Sequence, residues 1–472
     1  MSSNIFLTSL FICMKKNLLT TAILLCVFMA AAQTNPAILS WMQNTTVTAR
    51  HYVSGNSTPI NDAALVNVQL VQYSTNFVYA TTTGLPSYVT GPFLDGNPSL
   101  ATNQNAIFKI PLNPVQNTGT STGTLPGNIG VFVNGVALFD YRDGVAWNAN
   151  TNALCGGPGN PPCPGGMGTT QPWNRDAIVA ERGGFDCAKA HPAMGNYHHH
   201  QNPSAFNLDL NVISTICNLY NAEGLYVIDS ATHSPLIGFA YDGFPIYGAY
   251  AFQNADGTGP IVRMKSSYSL RAMTTRTTSP TGASVAAGPV VSSNYPLGYF
   301  REDYEYVPTS VSTPDFLDEH NGRFCITPEY PVGTYCYFTT VDENWNSAYP
   351  YVVGPTFYGV VAASKVTTIT EPVTTYTPST SGIGKTELEN LKINIFPSSA
   401  SELLVLQLAD ITKVNLEINL FDISGKLVEK TMLYAGSTIA YFDTKSLYSG
   451  IYLVQVASGQ NLISKKVFVS KE

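Results

Sequence analysis

The sequence contains few charged residues. Asp, Glu, Lys and Arg together make up 12% of its 472 residues, which is about half the usual share in a globular protein. The formal net charge is -7, and the Lys and Arg residues form no cluster. Because nucleic acids and anionic membrane surfaces are bound through concentrated positive charge, the composition argues against both as partners.

Long apolar runs are also missing after residue 32. A membrane-spanning helix needs roughly 20 predominantly apolar residues, and we expect no transmembrane span in the mature chain because no later segment provides them. Before that point, Lys15 and Lys16 precede the apolar run Leu18–Met29 and three alanines. This order of charge, short apolar centre and small residues is typical of a signal peptide. We therefore expect residues 1–32 to be a leader, with Met14 as an alternative start.

Several catalytic signatures are missing as well. The sequence has no Gly-x-x-x-x-Gly-Lys phosphate-binding loop, no Gly-x-Gly-x-x-Gly dinucleotide motif and no His-Glu-x-x-His helix. It also lacks the Cys-x-x-Cys spacing of zinc knots. A carboxylate pair for glycoside hydrolysis could be assembled from Asp242, Asp318 and Glu319, but residue type alone supports it. Enzyme and non-catalytic binding protein therefore both stay open.

Six of the eight cysteines lie after the leader. An even number of cysteines in an exported chain predicts disulfides, although spacing alone does not fix the pairing. Cys155 and Cys163 flank a loop of Gly, Pro and Asn, which a short disulfide would hold in place. The other pairs that we expect are Cys187 with Cys217 and Cys325 with Cys336.

The secondary-structure signals indicate a mostly β protein. Residues Val66–Tyr73 alternate between apolar and polar, which is the pattern of a half-buried strand. Asn134 and Gly135 separate two β-branched runs and predict a hairpin with a type I′ turn, since both residues tolerate positive φ. Helical periodicity is confined to short stretches near residues 176–182 and 208–219. We expect these helices to be minor elements on a body of sheets.

The last part of the chain has a different composition. Residues 367–392 are rich in Thr, Ser and Pro and poor in large apolar side chains, so we expect a linker that cannot order itself. Closely spaced strand patterns follow over residues 393–472 and predict a small β-sandwich. Its distinctive segments are Asn394-Ile395-Phe396-Pro397, Leu420-Phe421-Asp422-Ile423-Ser424-Gly425-Lys426 and Leu447-Tyr448-Ser449-Gly450-Ile451-Tyr452-Leu453-Val454.

These segments resemble the sorting domain that ends many proteins exported by the type IX secretion route of Bacteroidetes. Where that family usually has Asn-Pro after the first Pro, this chain has Ser398 and Ser399. The resemblance implies export through the periplasm and across the outer membrane, with the secretion machinery recognising residues 393–472. It therefore implies a protein that is secreted or held at the cell surface.

The strongest indication of chemistry is a run of histidines. His198, His199 and His200 follow Tyr197 and are three of the seven histidines in the chain. In an extended strand, His198 and His200 project to one face, whereas Tyr197 and His199 project to the other. Two imidazoles on one face can bind one metal ion, and imidazole suits zinc and copper. The alternative is a packed, hydrogen-bonded ladder of Tyr and His without a metal.

The blocks around this run resemble the YHYH family, which is named for its Tyr-His-Tyr-His motif. We expect residues 33–366 to form this domain with an N-terminal extension, and the family implies no settled activity. Two positions depart from its pattern, because His199 replaces the second Tyr of the motif and Cys336 stands where a second, similar stretch would have its His. The matching blocks include Gly84-Leu85-Pro86, Phe185-Asp186, His191-Pro192, Gly195 to Pro203, Tyr241 to Gly248 and Leu317-Asp318-Glu319.

The sequence around the motif is echoed later in the chain. The segment Phe185–Tyr197 parallels Leu317–Tyr335, which predicts two matched halves. If the two halves face one another, side chains of the second half would approach His198 and His200. The residues that we expect to complete a shell of three or four ligands are His191, Asp242, Glu319 and His320.

Aromatic residues offer a second kind of site. The segment Tyr241–Gly248 could line a ligand pocket, or its aromatic side chains could pack a tight turn onto a sheet. Three functions therefore stay open: binding of a divalent metal, recognition of a glycan or surface protein by aromatic residues, and metal-dependent hydrolysis or oxidoreduction. The pocket candidates are Tyr197, Tyr241, Phe244 and Tyr247.

Overall fold

The computed structural model of the protein describes residues 35–94, 100–166, 170–211, 214–309, 313–377, 388, 390–397, 403–409, 412, 414–434, 437–458 and 461–470. The expected leader lies outside these residues. The described chain is built mainly from β-strands, as the alternating patterns predict. Among the described residues, no helix is long and apolar enough to cross a membrane.

Residues 35–377 form the larger domain. The α-helices described in it are α1 (Pro36–Leu39) and α2 (Ala177–Glu181). Its strands are β1 (Thr48–Val53), β2 (Asn56–Leu65), β3 (Val68–Tyr73), β4 (Phe77–Thr82), β5 (Ala106–Pro111), β6 (Thr122–Gly123), β7 (Asn128–Phe132), β8 (Ala137–Phe139), β9 (Arg142–Asn148), β10 (Ala153–Cys155), β11 (Asn174–Asp176), β12 (Ala190–Ala193), β13 (Asn196–His199), β14 (Leu236–Ala240), β15 (Pro245–Tyr247), β16 (Tyr250–Phe252), β17 (Ile261–Arg263), β18 (Tyr268–Leu270), β19 (Tyr304–Tyr306), β20 (Gly322–Cys325), β21 (Thr334–Phe338), β22 (Thr356–Phe357), β23 (Ser364–Val366) and β24 (Thr374–Tyr376).

The two predicted helical stretches have different outcomes. The stretch near 176–182 contains α2, as predicted. The stretch near 208–219 contains only short 3-10 turns at Phe206–Leu208 and Thr215–Asn218. The second turn contains Cys217, which is bonded to Cys187, and the Phe206 amide of the first turn donates to the Cys187 carbonyl oxygen. Tertiary contacts around the disulfide therefore decide the geometry of both turns.

An eight-stranded sheet forms the centre of the larger domain, with strand order β12-β13-β8-β7-β14-β15-β21-β20. A five-stranded sheet, β23-β5-β4-β3-β24, packs on it. The two sheets share one apolar core, to which Val78 and Phe108 contribute from the smaller sheet and Phe132 and Phe239 from the larger one. The residues of the histidine run lie on β13, near one end of the eight-stranded sheet.

The eight-stranded sheet consists of two matched halves. In the first half the hairpin β7-β8 is followed by the hairpin β12-β13, with β13 parallel to β8. In the second half the hairpin β14-β15 is followed by β20-β21, with β21 parallel to β15. The halves meet in the antiparallel pair β7-β14. The internal repeat expected from the sequence is therefore confirmed.

Local contacts match between the halves as well. Asp186 accepts a hydrogen bond from the Tyr197 hydroxyl at 2.8 Å, and Asp318 accepts one from the Tyr335 hydroxyl at 2.9 Å. Lys189 and Asn321, the residues that turn into the second hairpin of each half, both have a φ of 67°. This alignment makes His198 of the first half equivalent to Cys336 of the second.

The hairpin predicted at Asn134 and Gly135 is present, but its turn type differs. Gly135 has a φ of 79°, whereas Asn134 is not among the residues with positive φ, so the turn is not type I′. The Asn134 side chain instead accepts a hydrogen bond from the Val136 amide at 3.1 Å. That bond is an Asx-turn, in which the asparagine side chain accepts a hydrogen bond from the backbone amide two residues later.

Two of the three expected disulfides are formed, Cys155–Cys163 and Cys187–Cys217. Cys325 and Cys336, the third expected pair, are buried thiols that form no disulfide in this structure. Cys325 lies opposite Thr334 and Cys336 lies opposite Arg323 in the β20-β21 hairpin. The two thiols are thus diagonal neighbours rather than a facing pair, and Cys336 Sγ contacts the Thr334 carbonyl oxygen at 3.6 Å.

The predicted linker is partly ordered. Its residues Thr374–Tyr376 form β24 and pair with β3 at the edge of the five-stranded sheet. Glu371 accepts a hydrogen bond from the Tyr79 hydroxyl. Because an edge strand is held by main-chain hydrogen bonds, it forms here without large apolar side chains of its own. Residues 378–387 lie outside the described residues.

The C-terminal domain is a small β-sandwich, as predicted. A three-stranded sheet, β25-β26-β29, faces a four-stranded sheet, β28-β27-β30-β31, across a core that includes Leu404, Leu406, Ile418 and Val454. Its strands are β25 (Ile393–Pro397), β26 (Leu403–Leu408), β27 (Leu416–Phe421), β28 (Leu427–Leu433), β29 (Ile439–Asp443), β30 (Gly450–Ser458) and β31 (Asn461–Val469).

Candidate metal centre

Three histidines of the β12-β13 hairpin lie together on one face. His191 on β12 is directly opposite His198 on β13, and His200 follows two residues after His198. The potential ligand nitrogens of these three histidines all lie within 4.8 Å of one another. The predicted alternation is confirmed, because Tyr197 contacts Asp186 and His199 contacts Tyr88 on the opposite face.

Hydrogen bonds to backbone carbonyls orient two of the rings. His198 Nδ1 lies 2.9 Å from the Asn196 carbonyl oxygen, and His200 Nδ1 lies 2.5 Å from that of Asp140. A carbonyl oxygen only accepts, so each Nδ1 carries the proton and each Nε2 presents a lone pair. The two Nε2 atoms lie 3.0 Å apart. Two facing lone pairs at this distance repel each other unless a proton or a cation lies between them.

Glu181 adds a fourth potential metal ligand, a carboxylate oxygen, to the cluster. Its Oε2 lies 3.3 Å from His191 Nε2 and 3.5 Å from His200 Nε2. Glu181 is the last residue of α2, and its side chain is 22% exposed, whereas those of His191 and His200 are 7% and 4% exposed. Solvent therefore reaches the cluster on the Glu181 side. Glu181 could not be found from local spacing, because the chain folds back to place α2 beside the hairpin.

Asp176 fixes the position of α2. Its side chain caps the helix by accepting hydrogen bonds from the amides of Ile178 at 2.8 Å and Val179 at 3.4 Å. Its other carboxylate oxygen accepts a hydrogen bond from the buried Tyr351 hydroxyl at 2.8 Å. Asp176 thus links the helix that carries Glu181 to the core of the domain.

Burial favours the neutral form of His198 and His200, which is the form that binds a metal. Burial, reinforced by the neighbouring His200 and His191, holds the pKa of His198 well below its usual value. Burial also lowers the pKa of His200 and lowers that of His199 to about 3. A neutral imidazole offers one lone pair, so no proton has to leave before a metal binds.

Negative groups surround the cluster. The Asp140 carboxylate is fully buried beside the histidines; its Oδ1 pairs with the Arg142 guanidinium at 2.5 Å, whereas its Oδ2 lacks a hydrogen-bond partner among the described residues. The pKa of Asp143 is raised to about 6, chiefly by burial, which Arg175 opposes and the Glu181 carboxylate reinforces. Buried carboxylates of this kind are stabilised by a nearby cation.

Three of the expected ligands do not join the histidines. The group of ligand atoms found among the described residues contains neither Asp242, Glu319 nor His320. Asp242 Oδ2 accepts hydrogen bonds from the Tyr337 hydroxyl at 2.6 Å and from the Gly359 amide at 2.8 Å. His320 Nδ1 lies 2.7 Å from Thr356 Oγ1, and its Nε2 lies 3.8 Å from Glu319.

The internal repeat explains this outcome. The halves lie side by side in one sheet, so they do not present their hairpins to each other as a facing pair would. The sheet register makes Arg323, Cys336 and Phe338 the second-half counterparts of the three histidines. The Arg323 guanidinium lies 5.8 Å from the centre of the Phe338 ring. The second half therefore has a cationic side chain at the place where the first half has its cluster.

The four aromatic residues expected to line a pocket are buried. Tyr197 and Tyr247 are fully buried, and Phe244 and Tyr241 are 5% and 8% exposed. Tyr247 donates a hydrogen bond to Glu329 at 2.7 Å inside the domain. These side chains pack the sheet and offer no open surface to a sugar ring.

One further catalytic pattern in the sequence has no matching structure. Residues 119–123 spell Gly-Thr-Ser-Thr-Gly, the Gly-x-Ser-x-Gly pattern of serine hydrolases. The segment is exposed and leads into the two-residue strand β6, and no helix follows it. A nucleophile elbow needs a sharp turn between a strand and a helix, so this segment is a surface loop.

The fold and the cluster define a class: a β protein with a buried three-histidine group in its larger domain and a small sandwich at its C-terminus. The YHYH protein family matches residues 107–350, more than half of the chain, and the protein belongs to this family. The secretion system C-terminal sorting domain matches residues 394–470. The protein is thus exported by the type IX route to the outer membrane or cell surface. A search of curated proteins finds no match.

Proposed function

We propose that the YHYH domain binds one divalent metal ion, zinc or copper, through His191, His198 and His200, with Glu181 as the fourth ligand. The observation that carries this proposal is the 3.0 Å separation of His198 Nε2 and His200 Nε2, whose Nδ1 atoms already face backbone carbonyls. A proton or a metal ion between the two nitrogens would relieve the repulsion, and burial disfavours the proton because it lowers the pKa of both His198 and His200. A metal ion would compensate it and bind both nitrogens.

The separations of the donor atoms fit a tetrahedral site. Zinc lies about 2.0–2.1 Å from a ligating nitrogen, which places two tetrahedral ligands about 3.4 Å apart. The separations here are 3.0 Å between His198 and His200, 3.3 Å between His191 and Glu181, and 3.5 Å between His200 and Glu181. The potential ligand nitrogens of the three histidines all lie within 4.8 Å of one another.

The surroundings of the cluster also suit a cation. Backbone carbonyls hold the second nitrogen of two rings, which is the outer support that metal-binding histidines usually have. Phe139 stacks on His198 with ring centres 3.8 Å apart and keeps that ring in place. Asp140 and Glu181 contribute negative charge beside the neutral imidazoles.

Binding is favoured over turnover. With Glu181 in place, all four positions of a tetrahedral shell are filled, and catalytic zinc sites keep one position for water or substrate. Hydrolase or oxidoreductase activity would require Glu181 to leave the metal. Recognition of a glycan by aromatic residues loses its basis, because the candidate aromatic side chains are buried.

The test is a metal analysis of the chain from residue 33 to residue 472, produced in an oxidising compartment without a histidine tag. We expect close to one zinc or copper ion per chain by elemental mass spectrometry after metal is supplied. The His198→Gln/His200→Gln variant should lose it. A His51→Gln/His320→Gln variant removes the same number of histidines elsewhere and should keep it.

The outcomes separate the two alternatives for the histidines. Metal in the parent and in the control variant, but not in the His198→Gln/His200→Gln variant, supports the site. A parent chain that binds neither zinc nor copper, while its circular dichroism shows a folded β protein, would overturn the proposal and leave a packed histidine ladder.

A further inference from the structure

The three-stranded sheet of the sorting domain is apolar on both faces. All six residues of β26 are buried. Leu404 and Leu406 point into the sandwich core, whereas Leu403 and Val405 point away from it and belong to a different apolar cluster. A sheet with one face in water would alternate apolar and polar residues along the strand. The outer face of this sheet therefore needs a partner.

We propose that the sorting domain docks through this outer face onto the YHYH domain of its own chain. The docking surface of the sorting domain consists of Leu403, Val405, Gln407, Ile439 and Tyr441. In the same apolar cluster, the YHYH domain contributes residues including Val89, Ala222 and Val227. This inference is independent of the metal site.

Polar contacts fix the orientation of the two domains. Gln407 Nε2 donates a hydrogen bond to Thr232 Oγ1 at 2.9 Å. Asn221 Nδ2 donates one to Asp443 Oδ2 at 2.5 Å. The Tyr441 hydroxyl donates one to the Gly224 carbonyl oxygen. On the YHYH side all three partners lie between residues 221 and 232, so one segment supplies the polar part of the surface.

The contact is not tightly packed throughout. A cavity of about 410 Å³ lies between the domains, lined by Arg50 and Glu223 from the YHYH domain and by Glu429 and Asp443 from the sorting domain. An interface with a polar cavity and a limited apolar patch resembles the contacts between separable domains. Docking can therefore be reversible without unfolding either domain.

Docking leaves the other face of the sandwich open. Ile451 and Phe468 lie opposite each other on β30 and β31 and are 53% and 60% exposed. Because the three-stranded sheet is covered by the YHYH domain, the four-stranded sheet is the face that the secretion machinery can reach. This consequence rests on the sorting role of the domain.

Cross-linking of the full chain tests the docking directly. Thr232→Cys/Gln407→Cys places two thiols at the contact, and a short bifunctional maleimide should join them in high yield. Thr232→Cys/Gln455→Cys is the matched control, because Gln455 lies on β30 in the four-stranded sheet. Peptide mapping identifies the linked residues. A yield no higher than that of the control would overturn the proposal.

A second variant tests the apolar face without a cross-linker. Val405→Asp places a charge on the docking surface and should raise amide hydrogen exchange in residues 220–233 at least several-fold. Gln455→Asp should leave exchange in that segment unchanged. If Val405→Asp leaves it unchanged as well, while the sorting domain stays folded, the outer face is not the docking surface.

Export of the cross-linked form tests the assignment of the open face. The Thr232→Cys/Gln407→Cys pair can also be linked in the periplasm with a membrane-permeant reagent before transport. Linked protein that reaches the cell surface supports recognition through the four-stranded sheet. Linked protein retained in the periplasm, beside exported control protein, would show that the machinery needs the covered face.

Discussion

Glu181 is the single residue that distinguishes a metal site from a packed histidine cluster. As a ligand, its carboxylate contributes charge and an oxygen donor, and Glu181→Gln keeps its size while removing the charge. We expect this change to lower zinc affinity about 10–100-fold, the range seen when groups that support a metal site are lost. A competition titration against a chromogenic chelator measures it.

The control for this prediction is Glu319→Gln. Glu319 was a candidate ligand from the sequence, but it lies beside His320 in the second half of the domain. Its loss should leave zinc affinity unchanged. If the two variants bind zinc equally well, Glu181 is not a ligand, and the shell is completed by water or by another group.

At the residue scale, the sequence predicted what depends on one strand and failed on what depends on two elements. The common face of His198 and His200 follows from strand alternation alone. His191 was also expected, and it lies directly opposite His198 in the hairpin. Glu181 could not be predicted because no local spacing links α2 to the hairpin. Asp242 and His320 were expected on the assumption of facing halves, and both lie outside the described histidine group.

At the scale of elements, α2 depends on one side chain. Asp176→Ala removes the helix cap and leaves the buried Tyr351 hydroxyl without its acceptor. The lost cap costs about 1 kcal/mol and the unpaired hydroxyl about 1–3 kcal/mol. We therefore expect a loss of about 2–4 kcal/mol in the free energy of unfolding, measured by chemical denaturation. Zinc affinity should fall as well, since Glu181 lies at the end of this helix.

Asp176→Asn is the comparison for that change. Asparagine keeps an oxygen that can cap the helix, so most of the stability should return. Full loss in both variants would mean that the negative charge of Asp176, and not its hydrogen bonds, stabilises the helix. Burial raises the pKa of Asp176 to about 8, so the neutral acid should be close in stability to the amide.

Gly130 and Gly238 occupy equivalent positions in the β7-β14 pair, where the two halves of the sheet meet. A Cβ on Gly130 would lie 2.8 Å from the Phe239 carbonyl oxygen, and one on Gly238 would lie 2.7 Å from the Val131 carbonyl oxygen. Both clashes involve backbone across the β7-β14 pair. We expect Gly130→Ala and Gly238→Ala each to destabilise the domain by about 1–3 kcal/mol, by similar amounts. Thermal unfolding of the two variants measures the difference.

Gly425→Ala provides the matched control, since a Cβ there would meet no atom within 4 Å. Its cost comes only from the φ of 82°, and it lies in the sorting domain. Gly130→Ala and Gly238→Ala variants with clearly unequal stabilities would contradict the equivalence of the two halves.

Elements were predictable where their signal is local. The Asn134-Gly135 hairpin and the α2 stretch come from turn chemistry and periodicity over a few residues. Strand β24 was missed, because its stability comes from pairing with β3 and not from its own side chains. Cys325 and Cys336 were expected to form a disulfide, whereas they are free thiols at diagonal positions of the β20-β21 hairpin, a register that a count of cysteines does not reveal.

At the scale of the whole molecule, the division into two domains followed from a change in composition, but their docking did not. The apolar outer face of β26 was visible as Leu403-Leu404-Val405-Leu406, a run without alternation. Such a run is equally consistent with a strand buried inside the sandwich. Only the position of the YHYH domain distinguishes the two alternatives.

Docking should depend on pH through the carboxylates of the cavity. The pKa of Glu429 is raised to about 7, chiefly by burial; the hydrogen bond from the Asp443 amide opposes this, the charges of Asp443 and Glu223 reinforce it, and Arg50 opposes it. Burial raises the pKa of Glu223 as well. Other charged or titratable groups that line the cavity are Lys430, Tyr88, Tyr434 and Tyr441. The docked state therefore binds protons more tightly than the separated domains.

Docking should weaken as the pH rises, because the docked state binds protons more tightly. A carboxyl with a raised pKa stabilises docking fully below its ordinary value near 4.5, and the stabilisation is lost as the pH rises through about 7. The yield of the cross-link in the Thr232→Cys/Gln407→Cys variant should fall between pH 5 and pH 8. At each pH the reaction is stopped when a free reference thiol has reacted to the same extent, so that the pH dependence of thiol reactivity cancels. Glu429→Gln keeps a neutral side chain at every pH and should flatten the profile. A parent and a Glu429→Gln variant with the same pH dependence would place the titrating group elsewhere.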